Sequence, residues 1–474
     1  MSPSIADPYT SGGFAPIPME CDYVALEIEG EWPADLHGSL YRAGPNPQYP
    51  PRGRYNPLLG DGMVHAFHVD GARVTYRNRW VRTQQWTLER AAGRALFATS
   101  GDPRDHDPTV VGMRTDGVAN TNLVCHGGRL LVLEEFHAPI EIDPSTLETL
   151  GVWRFDGTLP SNMTAHPKPD PRSGELHFFA NEPEGAFTGE LAYYVASAEG
   201  AITVRERIDT PFAAIVHDFA ITERFVIFPI CPVTISMERA RAGGPGIAWE
   251  PDRLTHVGVM PKSGSAKDLR WFHCEARMAW HFMNAFEDGD EIVVDVCEQA
   301  APAFTFADGT PVPESHMRQY LARWCWSRSR SNAIDVQRLC DDVCEYPRID
   351  ERHTGRATRF GYLACCGGPG TGDPFHRGIG CFDFETRRMS VFRFGESCCV
   401  SEPVFVPRSQ TAAEGDGYLL CTVYDETKDR SCLALLDARR VPDGPVATAR
   451  LEHRMPMGFH GIWRSAVKAP QSSE

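Results

Sequence analysis

Long apolar runs are missing from this sequence. No stretch of about 18 apolar residues occurs, so no segment reads as a membrane-spanning helix. That leaves a surface patch as the way to meet a bilayer. The start, Met1-Ser2-Pro3-Ser4-Ile5-Ala6-Asp7-Pro8, has neither a basic region nor an apolar one, and no signal peptide is expected. Clustered basic charge is missing too. Lys and Arg number 47 against 63 Asp and Glu, a formal charge of −16, and no basic run reaches five residues. Nucleic acid is excluded as a partner, because neutralising phosphates needs clustered cations. Paired CxxC motifs of the zinc type are absent: Cys340-x3-Cys344 has no matching second pair. Helical periodicity is sparse, with short candidates at Gln85–Phe97 and Glu314–Arg323. No interdomain linker is visible, so residues 1–474 read as one domain.

Cysteine, by contrast, is plentiful. Nine of the 15 lie between Cys340 and Cys432, including Cys365-Cys366 and Cys398-Cys399. Core thiols in a reducing cytoplasm are the expectation. Gly367-Gly368-Pro369-Gly370-Thr371-Gly372 has neither the GxGxxG nor the P-loop spacing, and it reads as a surface loop. Lys468–Glu474 reads as a frayed tail.

Turn signals recur from end to end. Asp-Gly stands at 61–62, 70–71, 116–117, 156–157, 288–289, 308–309, 416–417 and 443–444. Between such turns lie strand-length apolar runs, among them Arg129–Leu133, Arg224–Phe228 and Tyr418–Val423. An all-β closed fold follows, and at this length a propeller is favoured over a barrel or sandwich. Seven blades of roughly 68 residues would exceed the usual repeat, so loops must be inserted. No Trp-Asp or kelch signature marks the repeat.

The central stretch is Trp280–Asp295. His281 ends an apolar run, Asp288-Gly289 makes a tight turn, and Glu291–Asp295 follows as a strand. Such a histidine points inward from the rim of a sheet. Three others have similar surroundings: His166 in Thr-Ala-His-Pro, His217 in Val-His-Asp-Phe, and His460 in Gly-Phe-His-Gly. Taken alone, each is a satisfied core histidine. Together, neutral imidazoles suit iron, zinc or copper. Ligand histidines need acceptors for their second N–H. The carboxylates on apolar strands that could serve are Glu135, Glu345 and Glu402.

At these residues the sequence resembles the carotenoid cleavage oxygenases. That family includes carotenoid and apocarotenoid dioxygenases, lignostilbene dioxygenases and isoeugenol-type oxygenases. The resemblance runs through Leu26–Gly30, Tyr41–Pro47, Gly60–His65, Val118–Asn122, Trp280–Asp290, Glu402–Arg408, Glu414–Tyr418 and Phe459–Gly461. It implies a seven-bladed propeller with one Fe(2+) per chain on the axis and a dome of loops and short helices over one face. The implied ligands are His166, His217, His281 and His460, oriented in part by Glu135, Glu345 and Glu402, with Thr121 near the open iron face. The implied reaction is cleavage of a conjugated C=C bond by O2 to two carbonyl products, in a monomer or homodimer. Candidate tunnel residues are Ser100, Glu134 and Phe282.

The pattern departs from the lignostilbene type at two places. Glu134 stands where that branch has a lysine, and Ser100 where it has a tyrosine. A carboxylate at 134 disfavours a phenolate beside it. An apocarotenoid, or an alkene lacking that phenol, is as well suited as a stilbene or phenylpropanoid. Two other readings stand beside this one. His68-Val69-Asp70 has the His-x-Asp spacing of a facial-triad iron oxygenase. A non-catalytic propeller could bind an apolar ligand or a protein.

Overall fold

Short strands that are apolar on both faces need a sheet on each side. Leu176–Asn181 is buried at all six positions, whereas the outer strand Ile202–Asp209 of the same sheet alternates between exposed and half-buried over most of its length. This is the signature of sheets packed face to face in a ring, buried near the axis and wet at the rim. The computed structural model describes residues 8–181, 188–366 and 375–466. The glycine-rich segment Gly367–Gly372, the tail from Lys468 and the first seven residues lie outside the described residues.

The sheets form a seven-bladed propeller of antiparallel strands. Blade two is Asn122–His126, Arg129–Leu133, Ile140–Ile142 and Thr149–Val152, and blade three is Lys168–Pro169, Leu176–Asn181, Glu190–Ala196 and Ile202–Asp209. Blade four runs Ala220–Ile221, Phe225–Ile230, Thr255–Pro261 and Arg270–Cys274. Blades five and six share one continuous sheet through the long strand Asp335–Arg348. Its first part pairs with Tyr320–Ser327, and its end pairs with Phe360–Cys366. One strand therefore closes blade five at the rim and opens blade six at the axis.

Two strands from the chain ends close the ring. Glu27–Gly30 pairs with Pro445–Arg450 at the edge of blade seven, and Gly461–Ser465 pairs with His37–Pro45 in blade one. The cores lie between blades. Phe179, Tyr193 and Val195 of blade three, for example, pack on Phe219, Phe228 and Met260 of blade four.

α-Helix is confined, among the described residues, to Gln84–Ala92 and Met237–Arg241. The first matches the expected helix in place. Thr83 caps it by accepting from Trp86 N–H, and Gly93 ends it in the left-handed region. The expected helix at 314–323 does not form. Only Glu314–His316 makes a 3-10 turn, and Tyr320–Ser327 is a strand. Ala322, Trp324 and Trp326 are buried while Arg323 and Cys325 are only partly so, a period of two that overrides local helical preference. No described helix is long and apolar enough to cross a membrane.

Candidate metal centre

Each of the four histidines sits on, or just before, the inner strand of its blade. His166 precedes Lys168–Pro169, and its backbone N–H donates to Thr164 Oγ1. His217 precedes Ala220–Ile221; its carbonyl accepts from Thr164 Oγ1, which ties the two segments together. His281 lies within Met278–Asp288 between two shifts of register, at Ala279/His281 and Phe282/Asn284. Such bulges re-aim side chains, and here they turn an imidazole to the axis. His460 immediately precedes Gly461–Ser465. A Cβ on Gly458 would lie 2.6 Å from the Ala43 carbonyl oxygen, so only glycine lets this segment approach blade one so closely.

The four rings meet. His166 lies 4.5 Å from His217, 5.0 Å from His281 and 4.6 Å from His460 between ring centroids. The His281–His460 separation is 4.7 Å. Ligand nitrogens of His166, His281 and His460 all lie within 4.8 Å of one another. His217 Nε2 is 3.1 Å from His281 Nε2.

Three carboxylates stand behind three of the rings. Glu345 Oε2 lies 2.7 Å from His281 Nδ1, and Glu402 Oε1 lies 3.0 Å from His460 Nδ1. Glu135 is in hydrogen-bond contact with His217 Nδ1. An ionised carboxylate can only accept. Each of these Nδ1 atoms therefore carries a proton, and Nε2 is left as the ligand atom of the neutral ring. The Nε2 atoms of His217 and His281 face each other at 3.1 Å, a separation that calls for a proton or a cation between them. The Nε2 of His166 is buried with no hydrogen-bond partner, and a buried polar atom of this kind calls for one. The donor set fits a divalent transition metal.

The electrostatics hold His166 and His460 neutral. Burial, then the imidazoles of His217, His460 and His281, push His166 well below the usual histidine range. Burial pulls His460 down to about 4 despite Glu402. Burial also opposes a charge on His281, but the Glu345 carboxylate outweighs it and the value rises. Burial likewise opposes ionisation of Glu402; Arg348 and His460 overcome it and hold the carboxyl low. Arg348 Nη1 is 3.0 Å from Glu402 Oε2.

A profile of the retinal pigment epithelial membrane protein family matches residues 14–465. An isoeugenol monooxygenase of Pseudomonas nitroreducens is 37% identical, over 96% of this chain and 98% of its own. Lignostilbene-α,β-dioxygenase isozyme III of Sphingomonas paucimobilis is 34% identical, over 97% of each. The crystal structure of Pseudomonas brassicacearum lignostilbene dioxygenase superposes with a TM-score of 0.92 at 36% identity, covering 97% of this chain and 98% of that one. The chain belongs to the carotenoid cleavage oxygenase family. It is an alkene-cleaving dioxygenase.

In this oxygenase Thr121 is buried beside the cluster. Its carbonyl accepts from His460 N–H, and its hydroxyl donates to Asn120 Oδ1. The tunnel candidates separate. Phe282 lines a cavity of about 360 Å³ that also touches His166, His281 and His460. Ser100 and Glu134 do not line it. Ser100 bonds Asp105 and Asp102 N–H in a surface loop. Glu134 accepts from Val118 N–H and contacts His137 Nδ1. The reversed charge at 134 is thus met by a histidine three residues on, which the sequence reading had not paired with it.

The facial-triad alternative is not built. The Asp70 side chain is 88% exposed at a hairpin end and pairs with His37, while His68 bonds Ser39. Two further residues at the centre were missed. Arg348 lies three positions after Glu345 and grips Glu402. Tyr346, at a φ of 55°, stacks on His281 with ring centroids 5.7 Å apart. Nothing in sequence separates a buried arginine from an exposed one. A non-glycine residue in the left-handed region shows only in the backbone, and such strain collects at functional sites.

Proposed function

We propose that His166, His217, His281 and His460 together hold one ferrous ion, and that the enzyme cleaves the side-chain alkene of a stilbene or phenylpropanoid. The observation that carries this is the opposed Nε2 pair of His217 and His281, each backed by its own carboxylate. A ferrous ion held there would supply the open positions and one-electron reactivity that O2 needs to attack an alkene. Glu135, Glu345 and Glu402 lend negative charge and orientation without occupying a ligand position. Thr121 narrows the open side. One C=C and one O=O bond break and two C=O bonds form, so no proton is gained or lost overall. No acid or base is needed at the cleaved bond; positioning and exclusion of water do the work.

The apolar substrate approaches past Trp280. That ring stands edge-on to His217 at 5.1 Å and packs with Phe304 in an apolar cluster apart from the charged cavity. The phenylpropanoid assignment is supported by the isoeugenol and lignostilbene relatives and by Glu134 being engaged with Val118 and His137. The reading places a single-domain enzyme in the cytoplasm; no disulfide forms among the described residues. The test is a panel of propenylphenols, 4-hydroxystilbenes and apocarotenals, with products identified by mass. Paired carbonyl fragments from the first two groups support the assignment. Cleavage of apocarotenals alone would replace it.

A further inference from the structure

The cavity beneath the histidines is lined by the inner strands as they run away from the cluster. Apolar side chains make up much of its wall, and Lys168, Asp218, Arg348, Glu351, Arg352 and Glu402 place charge along it. Lys168 and Asp218 form an ion pair at 2.7 Å, with side chains 19% and 2% exposed. They stand two residues after His166 and one after His217, so the pair lies next to the cluster. Arg348 bridges the buried Glu402 and the 57%-exposed Glu351. Thr354, at the end of the turn Glu351–His353, forms part of the wall there. The lining thus holds three carboxylates, the 57%-exposed Glu351 and the buried Asp218 and Glu402, together with the cations Lys168, Arg348 and Arg352.

An apolar chain would have to strip water from these charges and return nothing, which is costly. A small hydrated cation finds the opposite. About 360 Å³ holds on the order of ten waters, and each carboxylate can replace a water on the ion as it passes. Resting against Asp218, the Lys168 ammonium repels that cation. To go by, the ion must take the carboxylate from the lysine.

We propose that this cavity is the passage by which a divalent metal ion enters and leaves the histidine cluster, with the Lys168–Asp218 pair as its inner barrier. The inference rests on the cluster being the metal site. A passage changes rates in both directions and leaves the equilibrium alone.

The test uses the intact chain, stripped by a chelator without oxygen. Co2+ is the probe, because its visible absorption reports an imidazole environment directly. Uptake is followed after mixing, and release after adding excess chelator to the cobalt-loaded protein. Lys168→Gln is expected to speed both about tenfold. Thr354→Trp, which narrows the opening, is expected to slow both by at least about fivefold. The dissociation constant from equilibrium titration should stay within about twofold. Unchanged rates in both variants would overturn the passage. A change in affinity without matched changes in both rates would overturn it as well, since Lys168 would then act on the site itself. If T354W does not fold, K168Q alone decides. Should the wild-type chain bind no cobalt, the metal site itself is wrong, an outcome distinct from binding at unaltered rates.

Discussion

Two sets of buried ionisable groups in this molecule meet opposite fates. Glu402, on the axis, is 2% exposed; Asp61, off it, is 3% exposed. Glu402 faces Arg348, His460 Nδ1 and the Gly461 N–H, and its carboxyl is held low. Asp61 accepts one side-chain bond, from Gln48 N–H, and leaves Oδ1 buried without a partner. Burial, with the Glu89 carboxylate nearby, pushes it up to about 7. The thiols repeat the second pattern. Cys344 contacts the thiols of Cys297 and Cys340, no cation stands by, and its value goes well up. Cys297 is the cross-strand partner of His281, and Cys344 precedes Glu345 in the chain. The strand Asp335–Arg348 thus carries a charged group to the axis, Glu345, and beside it a neutral sulfur into the core, Cys344. Burial alone neutralises a group; burial beside a partner gives it a job.

The sharpest way to break this comparison is to remove a ligand. His281→Ala deletes one of four imidazoles and strands Glu345 as an unpaired buried carboxylate. At about 3–4 kcal/mol per ligand, metal affinity should fall by about 10²- to 10³-fold. Iron per chain after anaerobic reconstitution, measured by atomic absorption, should drop to background. Retention of full iron would remove His281 from the site.

Off the axis the sign reverses: removing a charge should stabilise. Below pH about 3 Asp61 is neutral in both folded and unfolded chains. As pH rises from 3.8 to about 7 the unfolded chain ionises first, and the folded state loses stability. Above that the penalty is constant, on the order of 4 kcal/mol. Asp61→Asn is always neutral and can still accept from Gln48. Its melting temperature should therefore match the wild type near pH 3 and exceed it by about 4 °C at pH 8, given the unfolding entropy of a chain this long. An advantage that does not grow with pH would show that Asp61 is ionised and satisfied.

Glu345→Gln tests the support rather than the ligand. The carboxamide keeps a contact to His281 Nδ1 and loses the charge. Metal affinity should fall about 10–100-fold, the usual cost of a partner behind a ligand. Competition with a chelator of known affinity reads this directly. No loss would mean that orientation, not charge, is what Glu345 supplies.

Much of the axis was legible beforehand because its chemistry is local in sequence. A histidine flanked by apolar residues at the edge of a strand is visible, and so is a carboxylate closing an apolar run. All four histidines and all three glutamates converge. The strand Tyr320–Ser327 was misread because Glu314–Arg323 straddles a 3-10 turn and a strand, and the Trp324/Trp326 alternation falls mostly outside that window. Arg348, Lys168 and the Glu134–His137 contact were missed for another reason. Whether a charge is buried, and against what, depends on which strands the ring brings together. Asp170 meets Lys262, 92 positions away, by the same means. Tertiary closure decides such pairs, and no short window contains them.

The smallest effect tests the neutral half of the comparison. Cys344 is fully buried among Cys297, Leu363 and Cys365, next to the half-buried Cys340. If these thiols are packing and nothing more, Cys344→Ala removes one sulfur from a closed core and opens a small void. The cost should be about 1 kcal/mol, a drop of about 1 °C in melting temperature for a chain of this length. Iron per chain, the rate of alkene cleavage and total zinc should all be unaltered. The sulfur face touches the catalytic strands, so indifference there is a strict demand. A metal equivalent lost together with the thiol would show that the cluster binds its own ion. The rule that an unpartnered buried group stays silent would then fail at the place where the two faces are closest.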